Sequence, residues 1–519
     1  MGIWLLSAIA AVSGCGPHPR MLPVDQQTPI DRSLMRYPTG FTVQPFIRGL
    51  SAPTAMAWDD DGSLLVAEGG SYSDEPRILS FKKDGMISTI YPYNRKIPFI
   101  VPRGAFRLYG PIGGMVVYKG HIYVSHRDEN GLGRITMLDH KGGWSTIVAN
   151  LPAQGDFSVT DLSIDPRFGR LFFGVGAATN SGVAGIDNWE WIQDRPQVHD
   201  EPWGRLHLRG YRFDSPNPFS GLFGPADIAV TAPFQPFNVS NETEVEGSER
   251  PNAAIYSCSP NGGDLRVEAH GIRYPRGIAF NGYSFYFTNE GMALRGTRPM
   301  KNDQDALLRL IVGGTWYGWP DYTADLHPVW EDKFQPDPAM IARTGYKRVL
   351  FVIDQQQTNQ DPKNQDRRLQ LIEPDANTLL KGTFAPLSGA AKLAFIPKSW
   401  PNRSDHGRAV VALAGDRAPF DTSGNPIIGP IGYKVVMVDL DNHQVTDFVA
   451  NTAGGPGSLI DSKNLNLLER PVDVKFGPDG SLFILDAGHM QIHDGREDYD
   501  AGTGKIFHLV PEPQPVMYH

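Results

Sequence analysis

This 519-residue sequence has little cysteine, little charge and no excess of positive charge. Charged residues make up 20% of the chain, and the net charge is −9. An acidic chain without a basic stripe is not expected to bind nucleic acid. The two cysteines are Cys15 and Cys258. If the thiol of Cys15 is lipidated, Cys258 is the one thiol left and no intrachain disulfide can form. The hydrophobic core must then stabilise the fold.

Long apolar runs are also missing after the N-terminus, so no later stretch reaches the length of a membrane span. Residues 1–16 form an apolar run that ends in small residues and Cys15. This pattern resembles a bacterial lipoprotein export signal, which implies that Cys15 becomes the lipidated first residue. Because the run lacks Lys and Arg, an ordinary secretory peptide is the alternative. We predict a signal peptide at 1–15, a polar tether at 16–36, and an exported protein that is lipid-anchored at the cell envelope or periplasmic.

Glycine and proline, by contrast, are abundant, with 56 and 43 residues. They punctuate short apolar segments, and the clearest example lies near the C-terminus. Val472, Val474 and Phe476 alternate with polar residues, as expected of a half-buried strand. Pro478-Asp479-Gly480 supplies a tight turn. Residues 482–485 are continuously apolar, which is typical of a strand buried on both faces. The stretch therefore predicts two strands joined by a turn.

The same strand–turn–strand unit recurs along the chain. Six glycines mark its turns: Gly62, Gly120, Gly169, Gly282, Gly407 and Gly480. Repeated sheet units that cannot bury both faces alone must stack, and radial stacking gives a β-propeller. The sequence thus predicts an all-β, six-bladed propeller, in which a strand at Phe41 closes the ring beside Ile506. A tandem of open β-sandwiches is the alternative.

The domain boundaries follow from the extent of the repeat. We predict the propeller over residues 37–511 and a tail at 512–519. Two regions rich in Pro, Asp and aromatic residues show no repeat, and we predict them to be long loop insertions at about 183–260 and 320–390.

Three phrases within this repeat resemble the soluble glucose/sorbosone dehydrogenase family. They are Gly271-Ile272-Arg273-Tyr274-Pro275-Arg276-Gly277-Ile278-Ala279-Phe280, Gly314-Thr315-Trp316-Tyr317-Gly318-Trp319-Pro320 and Arg470-Pro471-Val472-Asp473-Val474. The similarity extends over about residues 40–511. It implies a six-bladed propeller that oxidises the hydroxyl of an aldose sugar or related alcohol with pyrroloquinoline quinone and calcium.

The resemblance also implies where the cofactor and the metal would bind. A cofactor with three carboxylates needs Arg or Lys around an axial cleft. The matching positions are Arg273 and Arg470, with Arg417 as a looser match. Backbone carbonyls of Gly291 and Met292 would bind calcium near Asp305.

The position of the family's general base departs from the pattern. Phe157 stands where the family has His, and phenylalanine cannot accept a proton. Leu108 and Ala177 replace two further polar positions of the family. Asp156 and Asp161 flank Phe157, and a carboxylate in an apolar cleft can serve as a base. Alternatively, one of them caps a turn and the other is solvated.

Two functional hypotheses follow. The first is an exported sugar or alcohol dehydrogenase-like propeller. The second is a non-catalytic propeller that binds a carbohydrate or a protein partner. Convergence of Arg273, Arg417 and Arg470 on the axial cleft would favour the first. A Phe157 side chain that plugs the same cleft would favour the second.

Overall fold

Six antiparallel sheets of four main strands each surround one axis in the computed structural model. It describes residues 18–69, 75–93, 106–217, 219, 228–240, 243–338, 347–417, 430–461, 466–493 and 496–512. Each innermost strand contacts the innermost strand of the next sheet, and the sixth contacts the first. The ring is therefore closed, and the predicted all-β, six-bladed propeller is confirmed.

The blades are numbered in chain order, and their strands run from the axis outward. They are Pro53–Trp58, Leu64–Glu68, Arg77–Phe81 and Ile87–Tyr91 in blade 1; Tyr109–Tyr118, His121–Arg127, Gly133–Leu138 and Trp144–Leu151 in blade 2; Val159–Ile164, Leu171–Val175, Ala254–Cys258 and Arg266–His270 in blade 3; Ile278–Asn281, Ser284–Asn289, Gln304–Leu310 and Leu380–Pro386 in blade 4; Ala390–Phe395, Ala409–Leu413, Lys434–Val438 and Val445–Asn451 in blade 5; and Pro471–Phe476, Leu482–Asp486, Gly504–Pro511 and Phe41–Leu50 in blade 6.

Shorter elements decorate this frame. Arg20–Met21, Met35–Arg36 and Thr315–Trp316 extend the outer edges of blades 6, 5 and 3. Two-stranded sheets are formed by Leu206–His207 with Glu244–Val245, Phe213–Pro216 with Ile228–Thr231, and Met490–His493 with Arg496–Tyr499. The α-helices of the described residues are Trp189–Ile192, Gln355–Gln360, Ala376–Leu379 and Gly457–Ile460. The 3-10 helices are Val24–Gln26, Ile186–Asn188, Asp332–Phe334, Pro362–Asn364, Arg367–Leu369 and Arg403–Asp405. In the described part of the chain, no helix has both the length and the apolar character needed to cross a membrane.

The turn glycines explain why the repeat was readable from sequence. All six have a positive φ, between 57° and 84°. Residues with a Cβ adopt this conformation at an energetic cost, whereas glycine does so freely. Each turn joins the first two strands of its blade. In blade 6 the second strand, Leu482–Asp486, is buried along its whole length, as its continuous apolar run predicts.

Blade 6 joins the two ends of the propeller in one sheet. Phe41–Leu50 pairs with Gly504–Pro511, and Ile47 lies opposite Ile506. The predicted closure by the N-terminal strand is confirmed. Because this strand fills the fourth position of blade 6, the ring has no missing outer strand there.

We predict that the closing strand contributes strongly to stability. Ile47 is fully buried on it, so Ile47→Ala is expected to cost about 2–5 kcal/mol of the free energy of unfolding. Val24 is 86% exposed, and Val24→Ala is expected to cost less than about 0.5 kcal/mol. Urea unfolding of both variants measures the difference. Equal losses would show that closure contributes little.

The insertions begin and end elsewhere than predicted. The first spans residues 176–253, because Ala254–Cys258 is a buried blade strand. The short strand Leu206–His207 lies within this insertion and pairs with Glu244–Val245 rather than with a blade strand. The second insertion spans residues 311–379, since Leu380–Pro386 is the outer strand of blade 4. Both shifts arise because each displaced strand follows a long insertion and no turn of the repeat type precedes it.

The two insertions pack against each other beside the axis. They share a buried apolar cluster, which includes Leu206, Phe213 and Phe234 of the first and Val349 and Ile353 of the second. The same cluster contains Phe157. The insertions therefore form a cap on the propeller face where the inner strands begin.

The N-terminal segment also packs on the propeller. Arg20 and Met21 pair with the closing strand, and Met35 and Arg36 pair with the outer strand of blade 5. Ile30, between them, is buried. Residues 18–36 are therefore docked on two blades rather than forming a free tether. The predicted signal peptide with Cys15, and residues 513–519 of the predicted tail, lie outside the described residues.

Candidate functional site

A cavity of about 160 Å³ lies on the axis, at the face where the inner strands begin. All six blades contribute to its lining, one residue of each being Thr54, Gly113, Thr160, Arg276, Lys392 and Val472. Glu190 of the first insertion, Arg417, and Glu497 of the strand Arg496–Tyr499 also line it. This cavity is the axial cleft in which the family resemblance predicts a cofactor.

Phe157 lines this cavity and is clamped between two neighbours. Its ring stacks on Tyr274 with centroids 4.4 Å apart, and the guanidinium of Arg273 lies 4.5 Å from its centroid. A Cβ on Gly176 would lie only 2.2 Å from the Cβ of Phe157, so a glycine at this position makes room for the ring. The predicted base position is thus filled by an apolar side chain.

The other two altered positions do not line the cavity. The carbonyl of Ala177 accepts a hydrogen bond from the Phe157 amide at 3.2 Å. Leu108 is fully buried in an apolar cluster between blades 1 and 2. Ala177 therefore supports Phe157 from behind, while Leu108 belongs to the core.

Arg273 and Arg470 are buried, and their side chains connect neighbouring loops through hydrogen bonds. Arg273 donates to the backbone and side-chain oxygens of Asn180 at 3.0 and 2.9 Å. Arg470 donates to the carbonyls of Ala414 and Asp416 at 3.2 and 2.7 Å. Of the three arginines assigned to the cofactor, only Arg417 lines the cavity, so the three do not converge there.

A single carboxylate links two of the cations in the wall. Glu290 accepts from Arg276 at 2.8 Å and from Arg417 at 2.6 Å, with one oxygen for each. Glu497 lies 3.5 Å from the Nε of Arg417. Both guanidinium groups are therefore neutralised by acidic neighbours before any ligand enters.

Asp156 belongs to a second buried ion cluster. One of its oxygens accepts from Arg295 at 2.6 Å, and the other accepts from Trp191 at 2.8 Å and Asn188 at 3.0 Å. Arg295 also pairs with Asp187 at 2.6 Å. With both oxygens engaged by donors, Asp156 does not fit the role of a substitute base.

Asp161 lies below the cavity, in a column of charges on the axis. Its carboxylate is 3.6 Å from the ammonium of Lys392, which is also 3.9 Å from Asp473. Lys475 continues the column 3.5 Å beyond Asp473. Burial lowers the pKa of Lys392, and the two carboxylates oppose this shift. Asp161 is thus the counter-ion of a lysine and does not line the cavity.

The segment predicted to bind calcium through its carbonyls is held to two buried carboxylates through its backbone amides. The amide of Gly291 donates to Asp305 at 2.9 Å, and the amide of Met292 donates to Asp303 at 2.6 Å. The second oxygen of Asp305 accepts from Ser388 and from the Ala390 amide. Burial raises the pKa of Asp305 to about 7. The donors already held by this carboxylate do not fit a calcium site, and the described residues contain no metal-type cluster of three His, Cys, Asp or Glu.

The cavity likewise does not fit a cofactor with three carboxylates. Arg276, Arg295, Lys392 and Arg417 line it, yet each has a carboxylate within 4.0 Å. A trianion would add charge that no unpaired cation among these four balances. The arrangement suits a ligand without net negative charge.

Sequence reasoning missed most of the residues that line the cavity. Arg276 stands three residues after Arg273 in the same recognised phrase, and Lys392 interrupts the otherwise apolar inner strand Ala390–Phe395. A lysine at a strand position of this kind indicates a buried, paired charge, and this signal could have identified it. Arg295 lies in an irregular segment and gives no such signal.

The fold places the chain among known propellers. No family model and no curated protein matches the sequence. A structure of a Carbohydrate-Active Enzymes family AA12 protein from Trichoderma reesei is 15% identical and has a TM-score of 0.50, covering 92% of this chain and 98% of that one. The pyranose dehydrogenase PQQ domain from Coprinopsis cinerea is 14% identical, with a TM-score of 0.45 and coverage of 93% and 98%.

A third similar structure, titled as a putative oxidoreductase (glucose dehydrogenase) from a Thermus species, is 16% identical, with a TM-score of 0.44 and coverage of 91% and 100%. Identities this low show the fold alone. The predicted resemblance to the soluble glucose/sorbosone dehydrogenase family is therefore confirmed only as a likeness of fold.

We predict that Arg295 is essential for stability above neutral pH. Arg295→Met leaves two carboxylates without their cation, which is expected to cost about 3–5 kcal/mol. Burial already raises the pKa of Asp187 to about 6, and Arg295 opposes that shift. Asp187 therefore binds its proton more tightly in the folded state than in the unfolded state, and loss of Arg295 increases this difference. The stability of the variant then falls more steeply than that of the wild type as pH rises above about 4.

The loss in Arg295→Met should therefore be larger at pH 8 than at pH 5, as measured by urea unfolding at both values. Arg348→Met is the matched control, because Arg348 and its partner Asp332 are largely exposed; it is expected to lose less than about 1 kcal/mol. A pH-independent loss would contradict the proposed cluster.

Proposed function

We propose that the axial cavity binds a small, uncharged, polyhydroxylated ligand of the carbohydrate class. We propose further that the protein does not oxidise this ligand by the base-and-quinone route of the enzymes it resembles. The observation that carries the proposal is the composition of the wall: each lining cation is paired with a carboxylate, and an aromatic pair stands where a base would be needed.

Paired ions and aromatic rings together suit a sugar. A hydroxyl group both donates and accepts hydrogen bonds, so it can bridge a guanidinium and the carboxylate beside it. The parts of the Phe157 and Tyr274 rings that line the cavity offer apolar surface to the C–H groups of a sugar. A neutral ligand adds no unbalanced charge to the buried ion pairs.

The alternative is a sugar dehydrogenase that uses pyrroloquinoline quinone. Four cationic side chains around one cavity favour it, because such a cofactor is anionic. Against it stand Phe157 in place of the base and the engagement of Asp156 and Asp161 by cations. A non-catalytic propeller with a protein partner also remains a prediction from the sequence.

Calorimetric titration separates these functions. With glucose as the neutral probe we expect a Kd of about 1 mM or tighter, which corresponds to about −4 kcal/mol. With pyrroloquinoline quinone, in the presence of calcium, we expect no binding in the same range. Tight quinone binding without sugar binding would overturn the proposal in favour of the dehydrogenase.

A variant of the aromatic wall tests the location of the site. Phe157→Ala removes apolar ring surface from the lining and is expected to weaken glucose binding about tenfold, in line with the ~1.4 kcal/mol of an aromatic contact. Phe168→Ala is the matched control, since Phe168 is 73% exposed and does not line the cavity. Equal affinity in both variants would place the sugar elsewhere.

We also propose that the protein is exported and anchored by a lipid on Cys15. The support is the apolar N-terminal run that ends at this residue. Cys15→Ser is expected to move the protein from the membrane fraction to the soluble fraction of expressing bacterial cells. The control Cys258→Ser changes a buried thiol and should leave the protein membrane-bound. An unchanged distribution of Cys15→Ser would contradict the anchor.

A further inference from the structure

The deep end of the axial cavity holds buried hydroxyl groups that the protein does not use. Ser158 and Thr160 line the cavity and are 6% and 3% exposed. Their side-chain oxygens, and that of Thr54 beside them in the lining, have no hydrogen-bond partner among the described residues. Buried polar atoms are nearly always partnered in folded proteins. Three such atoms in residues that line one cavity leave hydrogen-bonding capacity unused, and rotation about χ1 would turn them toward ligand oxygens.

Lys392 adds a buried cation to the same lining. Its side chain is 4% exposed, and its ammonium donates to the carbonyl of Thr54 at 2.7 Å. The nearest oxygens of Asp161 and Asp473 are 3.6 and 3.9 Å away, beyond hydrogen-bond distance. An ammonium group has three donors, and the described residues hold one of them. Lys392 therefore has donor capacity for a ligand in the cavity.

The charges below the cavity are balanced as a set. Asp161 and Asp473 carry two negative charges, and Lys392 and Lys475 carry two positive ones. Lys475 does not line the axial cavity but lines a separate, open pocket where the inner strands end. A ligand carboxylate beside Lys392 would therefore meet a neutral column that contains two buried carboxylates.

We infer that Lys392, Thr54, Ser158 and Thr160 form an anchoring subsite that takes hydroxyl oxygens of the ligand and selects a neutral sugar over the corresponding sugar acid. This inference rests on the proposed function, because it names the protein groups that hold the sugar in the cavity. The ammonium and the hydroxyls supply donors and acceptors for hydroxyl groups. The balanced column disfavours an added negative charge.

Titration calorimetry with glucose and glucuronate tests the subsite, since these probes differ by one carboxylate. In the wild-type protein glucose is expected to bind at least about tenfold more tightly than glucuronate. Lys392→Met should weaken glucose binding about tenfold or more. Lys475→Met, a matched change at the far side of Asp473, should alter it less than about twofold, because Lys475 does not line the cavity.

Two further variants separate recognition from folding. The double variant Lys392→Met with Asp161→Asn removes one positive and one negative charge, so the remaining charges on the axis stay balanced and the variant is expected to fold. It should lose glucose binding to the same extent as Lys392→Met. Asp161→Asn alone leaves one positive charge in excess. It should shift the glucuronate-to-glucose affinity ratio toward glucuronate by about tenfold, which a merely structural role of Asp161 would not do.

The outcomes of these titrations distinguish failure of the anchoring subsite from failure of the proposed function. Glucose binding that is unchanged by both Lys392 variants would overturn the subsite and leave the proposed function standing. A preference of the wild type for glucuronate, or an unchanged ratio in Asp161→Asn, would overturn the charge selection. Absence of binding by either sugar would overturn the proposed function and the subsite together.

Discussion

The rest of the site depends on the pairing of charge inside a closed ring of strands. Six inner strands bring side chains to one axis, where little water is available to solvate an unpaired ion. Shared carboxylates supply the pairing. Glu290 forms ion pairs with two arginines, and Asp473 lies between two lysines. These pairings leave the cavity polar but without a surplus of positive charge. Its chemistry is therefore that of hydrogen bonding rather than of anion capture.

The fold could be predicted because its signal is local. A glycine with positive φ must stand at each blade turn, and the buried second strand must be apolar, so both appear directly in the sequence. The insertion boundaries could not be predicted, because Ala254–Cys258 is a short apolar strand separated from its blade partner by residues 176–253. Pairing across such a distance is decided by tertiary contacts, which no window of sequence contains.

The site was predictable only in part, for a related reason. The recognised phrase contains Arg273 and Arg276, and sequence cannot tell which of two arginines in an irregular segment faces the cavity. The structure places Arg273 behind Phe157 and Arg276 in the wall. That an apolar side chain occupies the position where the resemblance implies a base was predictable from Phe157 alone. The room that Gly176 makes for this ring was not predictable, because the two residues lie in separate loops of blade 3.

The shared sheet of blade 6 also fixes an order of events during synthesis. The strand Phe41–Leu50 leaves the ribosome long before its partner Gly504–Pro511, and at about 5–20 residues per second the wait lasts roughly half a minute to a minute and a half. Throughout that interval the early strand has an unsatisfied edge and an apolar face, including Ile47. The nascent chain must therefore be shielded from other chains until its last blade is made.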